Sequence, residues 1–220
     1  MALTKFNYNS FDLTTAASKG LAFNSSANGF ETSSSTSMIL IKTLTASDDA
    51  NLTFTHGSSD VVLDNTYPIY VFKYINMHPA SDQKTLEFNL SADSGSNYNV
   101  TKTTTFFRAY HNEAGNDTTL SYDTGEDLAQ SNDDQTLGEL IGGDNDQSAS
   151  GRLTLFNPSS TTFVKHFIAE TSYAQQADYA FRGMMAGYAN TTSAINSVRF
   201  KFSSANIGSG TIKLYGIKDS

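Results

Sequence analysis

Val198-Arg199-Phe200-Lys201-Phe202 alternates strictly, which puts Val198, Phe200 and Phe202 on one face of an extended chain and Arg199 and Lys201 on the other. Ser203 to Gly210 is rich in turn residues, with Gly208 and Gly210 free to take positive φ. Thr211-Ile212-Lys213-Leu214-Tyr215-Gly216-Ile217 then alternates again, Ile212 and Leu214 on one side and Lys213 on the other. Two amphipathic strands joined this way predict a hairpin, and each needs an opposing sheet to cover its apolar face. The expected fold is therefore an all-β antiparallel sandwich closed by this C-terminal hairpin.

Working back from it, the chain reads as strand after strand. Lys84-Thr85-Leu86-Glu87-Phe88-Asn89-Leu90 alternates with Leu86, Phe88 and Leu90 inward. Tyr67 to Met77 is the longest β-rich run; strict alternation puts Ile69, Val71, Ile75 and Met77 on one face and Tyr70, Phe72 and Tyr74 on the other. Met38 to Leu44 is apolar on both faces, as in a central strand. Gly183, Ala186, Gly187 and Ala189 are small residues inside a strand-like run, which predicts a bulge or a close backbone approach. Eleven or twelve strands are expected, in one domain over residues 36–220.

Residues 1–35 form an N-terminal extension of different character. Phe6, Tyr8, Phe11 and Leu13 stand in a polar, small-residue background that ends in Glu31-Thr32-Ser33-Ser34-Ser35-Thr36-Ser37. Either this is a terminal strand with a linker, or it is an arm that docks on a neighbouring subunit through those four residues.

The bulk composition narrows the function classes. The 220-residue chain has no cysteine, which removes disulfides, thiolate metal sites and a cysteine nucleophile. It carries 22 acidic against 14 basic residues, an unfavourable balance for nucleic acid. No run approaches the length of apolar residues needed to cross a membrane, and the first residues hold only Lys5 and no apolar core of signal-peptide length. The expectation is a protein that binds neither nucleic acid nor membrane and is not exported by a leader.

Chemistry is sparse. Segment 112–148 holds ten of the 22 acidic residues and no Lys or Arg. It reads as one long acidic surface loop, with a short strand at Thr118–Tyr122 and one or two helical turns around Leu137, Leu140 and Ile141 before Gly142-Gly143. Asp144-Asn145-Asp146 opens like a calcium-binding EF-hand loop, but Ala149 and Leu155 stand where that loop needs Gly and Glu. A looser cation site in the acidic loop stays open, as does glycan binding through Tyr and Asn side chains. Glu87 and Glu170 fall at outward positions and are expected at the surface rather than as a catalytic pair. The four histidines, His56, His78, His111 and His166, show no metal-ligand spacing. No catalytic, metal or cofactor residue is assigned, and no enzyme is expected.

Taken literally, several stretches resemble small virion proteins of tailed bacteriophages. They are Asn190 to Asn196, Val198 to Ser204, Asn206-Ile207 with Gly210 to Ile217, Tyr67 to Pro79, Leu86 to Leu90, and Asn157-Pro158-Ser159-Ser160. The resemblance implies a jelly-roll structural protein assembled in the host cytoplasm. It implies a capsid decoration (cement) protein, commonly a homotrimer, bound to the major capsid protein and sister subunits. Its alternative is a tail or fibre component that binds host-surface glycan. On the cement expectation, Phe6, Tyr8, Phe11 and Leu13 are the candidate partner-contact arm.

Overall fold

The structure, a computed structural model, describes residues 20–24, 26, 28–33 and 37–218. Two compact units divide the chain after Ser37. In the first, β1 (Gly20–Phe23) and β2 (Phe30–Ser33) pair antiparallel as a small hairpin, with the Phe23 and Phe30 rings stacked at 4.9 Å. Part of the run expected as linker is thus strand. Phe6, Tyr8, Phe11 and Leu13 lie outside the described residues.

The second unit has twelve strands, all paired antiparallel in one continuous sheet that folds onto itself. They are β3 (Met38–Asp49), β4 (Leu52–Thr55), β5 (Ile69–Pro79), β6 (Lys84–Ser91), β7 (Lys102–Asn112), β8 (Thr118–Tyr122), β9 (Gln135–Ile141), β10 (Ala149–Phe156), β11 (Lys165–Gln175), β12 (Tyr179–Ala189), β13 (Ser197–Phe202) and β14 (Ile207–Ile217). The larger layer runs β3-β14-β5-β10-β11-β12-β7-β8, the smaller β9-β6-β13-β4. They join where β9 meets β11, and Gln175–Ile141 is the one strand pair that links them. The result is a jelly-roll-like antiparallel β-sandwich.

The expected C-terminal hairpin does not form. β13 pairs with β4 and β6, whereas β14 pairs with β3 and β5, so Ser203–Asn206 carries the chain from one layer to the other. Both alternation patterns hold: Val198, Phe200, Phe202, Ile212 and Leu214 are all buried. They hold because each strand lines the inside of a different layer. Phe200 is the meeting point. Its ring lies 5.5 Å from Phe72 and 6.3 Å from Tyr74 in the large layer, and 6.3 Å from Phe54 and 6.4 Å from Phe88 in its own. Phe88 reaches across to Phe167 edge-on at 5.4 Å. Gly151 lies where a Cβ would run into the Tyr74 ring, so this packing needs glycine there.

Three other expectations are corrected. Met77 is fully buried with Tyr70, Phe72 and Tyr74, and Ile75 is exposed, because a bulge at Ile75-Asn76, with Asn76 at φ 50, switches the alternation midway along β5. β3 is an edge strand with Leu40 half-exposed, not a central one. Leu137–Ile141 is strand β9, not helix. Its register with β6 slips near Leu137 and again before Ile141, so two bulges set apolar residues at helix-like spacing on an extended chain. Leu137 and Ile141 are buried while Leu140, at φ 50, points to solvent. The small residues of β12 reflect close approach rather than a bulge. That strand keeps unbroken register with β7 and β11, and a Cβ on Gly183 would press on the Phe106 ring and the Leu137 carbonyl.

Two measurements test this architecture. Phe200→Ala should cost about 3–5 kcal/mol of unfolding free energy, measured by urea denaturation, because it empties the contact between the layers. Asp93 caps the turn after β6, accepting from Ser91, from the Asn97 backbone and from the Asn97 side chain, and these bonds depress its carboxyl to about 2. A depressed carboxyl contributes stability that is full above its unfolded value of 3.8 and is lost as pH falls toward about 2. The difference in Tm between the wild type and Asp93→Ala should therefore be full at neutral pH and shrink as pH falls from about 4 through about 2.

Candidate functional site

The two outer faces of the sandwich differ. That of the small layer is closed over. Glu87, Asn89, Arg199 and Lys201 point outward there, but the connections before β7 and before β9 lie on them. Asp134 bonds Arg199 at 3.0 Å and Lys201 at 2.8 Å, Lys201 reaches Glu87 at 3.3 Å, and the Arg199 guanidinium covers the Tyr98 ring at 4.3 Å. Burial raises the Glu87 carboxyl, opposed by Lys201. Glu87, expected at the surface, is thus largely buried in an ion-pair network.

Among the described residues of the second unit, nothing covers the outer face of the large layer. Residues directly opposite one another in antiparallel strands share a face, so register gives its composition. One row crosses seven strands: Lys213, Lys73, Arg152, Glu170, Met184, Phe107 and Tyr122. Beside it runs Leu40, Tyr215, Val71, Thr154, Ile168, Ala186 and Thr105. The half over β14, β5 and β10 is basic. The half over β11, β12, β7 and β8 is apolar, with Ile168 53% and Leu120 72% exposed and Phe107 and Tyr122 in edge contact at 5.2 Å. Between the halves Glu170 takes Arg152 at 3.3 Å and also pairs with Arg182. Lys73 sits over the Tyr215 ring.

Two shallow depressions mark the apolar half. One of about 220 Å³ lies between Phe107, Ile168, Arg182 and Met184, and one of about 480 Å³ between Phe156, His166, Ile168 and Tyr188. Aromatic residues, Met and Arg around an apolar centre are the side chains favoured at the core of protein–protein contacts, and a contiguous exposed apolar patch of this kind marks an interaction surface.

A second concavity, of about 720 Å³, opens at the strand ends between His111, Glu113, Asp144, Asp146, Asp178 and Tyr179. It gathers part of the acidic segment. The rest is spent on contacts: Asp123 and Glu139 on Arg108, Asp117 on the Tyr179 hydroxyl, Asp127 on Tyr122, Glu126 on Thr136. Among the described residues no group of three or more His, Asp or Glu side chains has the arrangement to hold a metal ion. Glu87 and Glu170 leave opposite faces of the sandwich. His56 accepts from the Leu63 backbone, while His78 and His111 bond backbone carbonyls of Gln147 and Asn112.

Comparison with known proteins returns no match to any family model, curated protein or solved structure. The open face was not assembled by sequence reasoning, because its members come from eight strands and only register brings them together. The outward positions of Lys213, Lys201, Arg199 and Glu170 were legible; the sharing of one surface by Lys213 and Glu170 was not.

The Glu170 pairs are solvent-exposed, so they contribute little to folding. Glu170→Gln should change unfolding free energy by less than about 1 kcal/mol, checked by urea denaturation.

Proposed function

We propose that the chain is a structural protein of a tailed-phage virion, a capsid decoration protein that docks on the major capsid protein through the outer face of its large layer. One observation carries the reading: a continuous sheet face that pairs exposed Ile168, Phe107 and Tyr122 and the half-buried Met184 with the basic row Lys213, Lys73 and Arg152. Such a face gains by covering its apolar half, and its basic half favours a shell surface of acidic character. The resemblance of the C-terminal strands to small virion proteins supports a virion as the particle. The arm residues Phe6, Tyr8, Phe11 and Leu13 supply a second contact, to the shell or to sister subunits of a trimer. In this reading the protein acts by adhesion, without turnover.

The concavity at the strand ends supports a second reading, a tail or fibre component that takes host-surface glycan there. Its acidic, amide and Tyr179 side chains are those that bond sugar hydroxyls and cover a sugar face.

The two separate by experiment. Ile168→Asp combined with Met184→Asp should weaken co-sedimentation with shells lacking the protein by tenfold or more, about 1.4 kcal/mol, while the far-ultraviolet circular dichroism stays that of the parent. Unchanged co-sedimentation, together with loss of cell adsorption in Tyr179→Ala, would reject the cement role in favour of the glycan role.

A further inference from the structure

We propose that Lys102 and Asn89 form a self-modification site, in which the Lys102 amine condenses with the Asn89 carboxamide to give an intramolecular isopeptide bond between β7 and β6. Lys102 is fully buried and Asn89 is 2% exposed. Lys102 Nζ lies 2.7 Å from Asn89 Oδ1. A carbonyl bond is about 1.23 Å long, so Nζ is at most about 3.9 Å from the carbon it would attack. That is close to the spacing of reacting atoms poised for bond formation, with bulk water shut out.

The surroundings fit the chemistry. The Leu90 N–H donates to Asn89 Oδ1 at 2.8 Å, so it polarises the carbonyl and would hold the negative oxygen of a tetrahedral intermediate. Asn89 Nδ2 donates to the Tyr98 carbonyl at 2.9 Å and the Asn132 carbonyl at 3.2 Å, which fixes the plane of the amide. The remaining Lys102 bond goes to the Val100 carbonyl at 2.9 Å. Among the described residues no ion pair neutralises this lysine, and a buried ammonium held only by neutral oxygens is costly. Burial pushes the amine down to about 8 against the opposing pull of Asp134 and Asp133, which makes the neutral, nucleophilic form accessible.

The step balances without a co-reactant. The lone pair of neutral Nζ forms the new C–N bond, the bond from Cγ to Nδ2 breaks, one proton passes from Nζ to Nδ2, and ammonia leaves. Asp134 is the proton carrier. Burial pushes its carboxyl up, but bonds from Lys201 and Arg199 hold it below the usual carboxylate range, so it is an ionised base whose field reaches the Lys102 amine. Lys165 is the internal contrast. It lies two strands away in the same register row, opposite Ala189, which is opposite Lys102. It too is buried, yet among the described residues its Nζ donates only to the Phe163 and Thr191 backbone carbonyls and to no carboxamide.

Intact-mass spectrometry of the full chain decides the matter. The expected result is a mass one ammonia below that of the sequence, with a digest containing a peptide branched between Lys102 and Asn89. Lys102→Met and Asn89→Ala should each restore the full mass, and Asp134→Ala should give mainly the unlinked chain. A wild-type chain that keeps its full sequence mass after prolonged incubation at neutral pH would overturn the proposal, whether or not the variants fold. A branch at Lys165 or any other lysine would overturn it equally.

Discussion

Everything in this molecule depends on apolar side chains meeting between two layers that share almost no backbone pairing. Within each layer the strands are held by ladders of hydrogen bonds, but the layers are joined by one strand pair, Gln175–Ile141. Their spacing is therefore set by Phe200, Phe54, Phe72, Tyr74 and Phe88, and by Phe167 reached from Phe88. Removing each such side chain from water contributes about 1.5–3 kcal/mol. Tyr74 shows how closely this interior is arranged: its ring occupies the space left by Gly151, and its buried hydroxyl meets Thr171 at 2.6 Å. A shift of one residue in any of these strands would turn its apolar set outward.

That constraint sorts the polar residues. The connections before β7 and β9 fold over the outer face of the small layer. Asn89, Arg199, Lys201 and Glu87 are sealed beneath them. Among the described residues of the second unit, the large layer receives no such cover. Its outer face is left as a stiff platform on which side chains from eight strands stand at fixed spacing. A protein that adheres gains from such a platform, because little conformational freedom is lost on docking. The sealed side serves differently. It brings a lysine amine and a carboxamide together under conditions that an exposed pair would never meet.

The places where sequence pattern and structure part are bulges, a crossover and a sheet edge. Strict alternation assigned Met77 to the wrong face because the extra residue near Asn76 resets the period. Leu137, Leu140 and Ile141 have helical spacing in the sequence, but on the bulged strand only Leu137 and Ile141 face the core while Leu140 faces solvent. Leu40 and its neighbours on β3 look central because both faces are apolar, yet nothing pairs beyond that strand in the second unit. In each case a local pattern was correct about which residues are apolar and silent about the register that decides where they point.

The amino-acid sequence alone determined that this chain is all-β and antiparallel, that Val198, Phe200 and Phe202 line a core, and that cysteine chemistry is excluded, since each of these follows from residue type and local periodicity. Tertiary structure alone decided that β13 and β14 lie in different layers, that Lys73, Arg152, Ile168 and Met184 share one face, and that Lys102 meets Asn89. Those facts are pairings between distant segments, chosen by the joint burial of the whole core. No local stretch carries enough energy to dictate them.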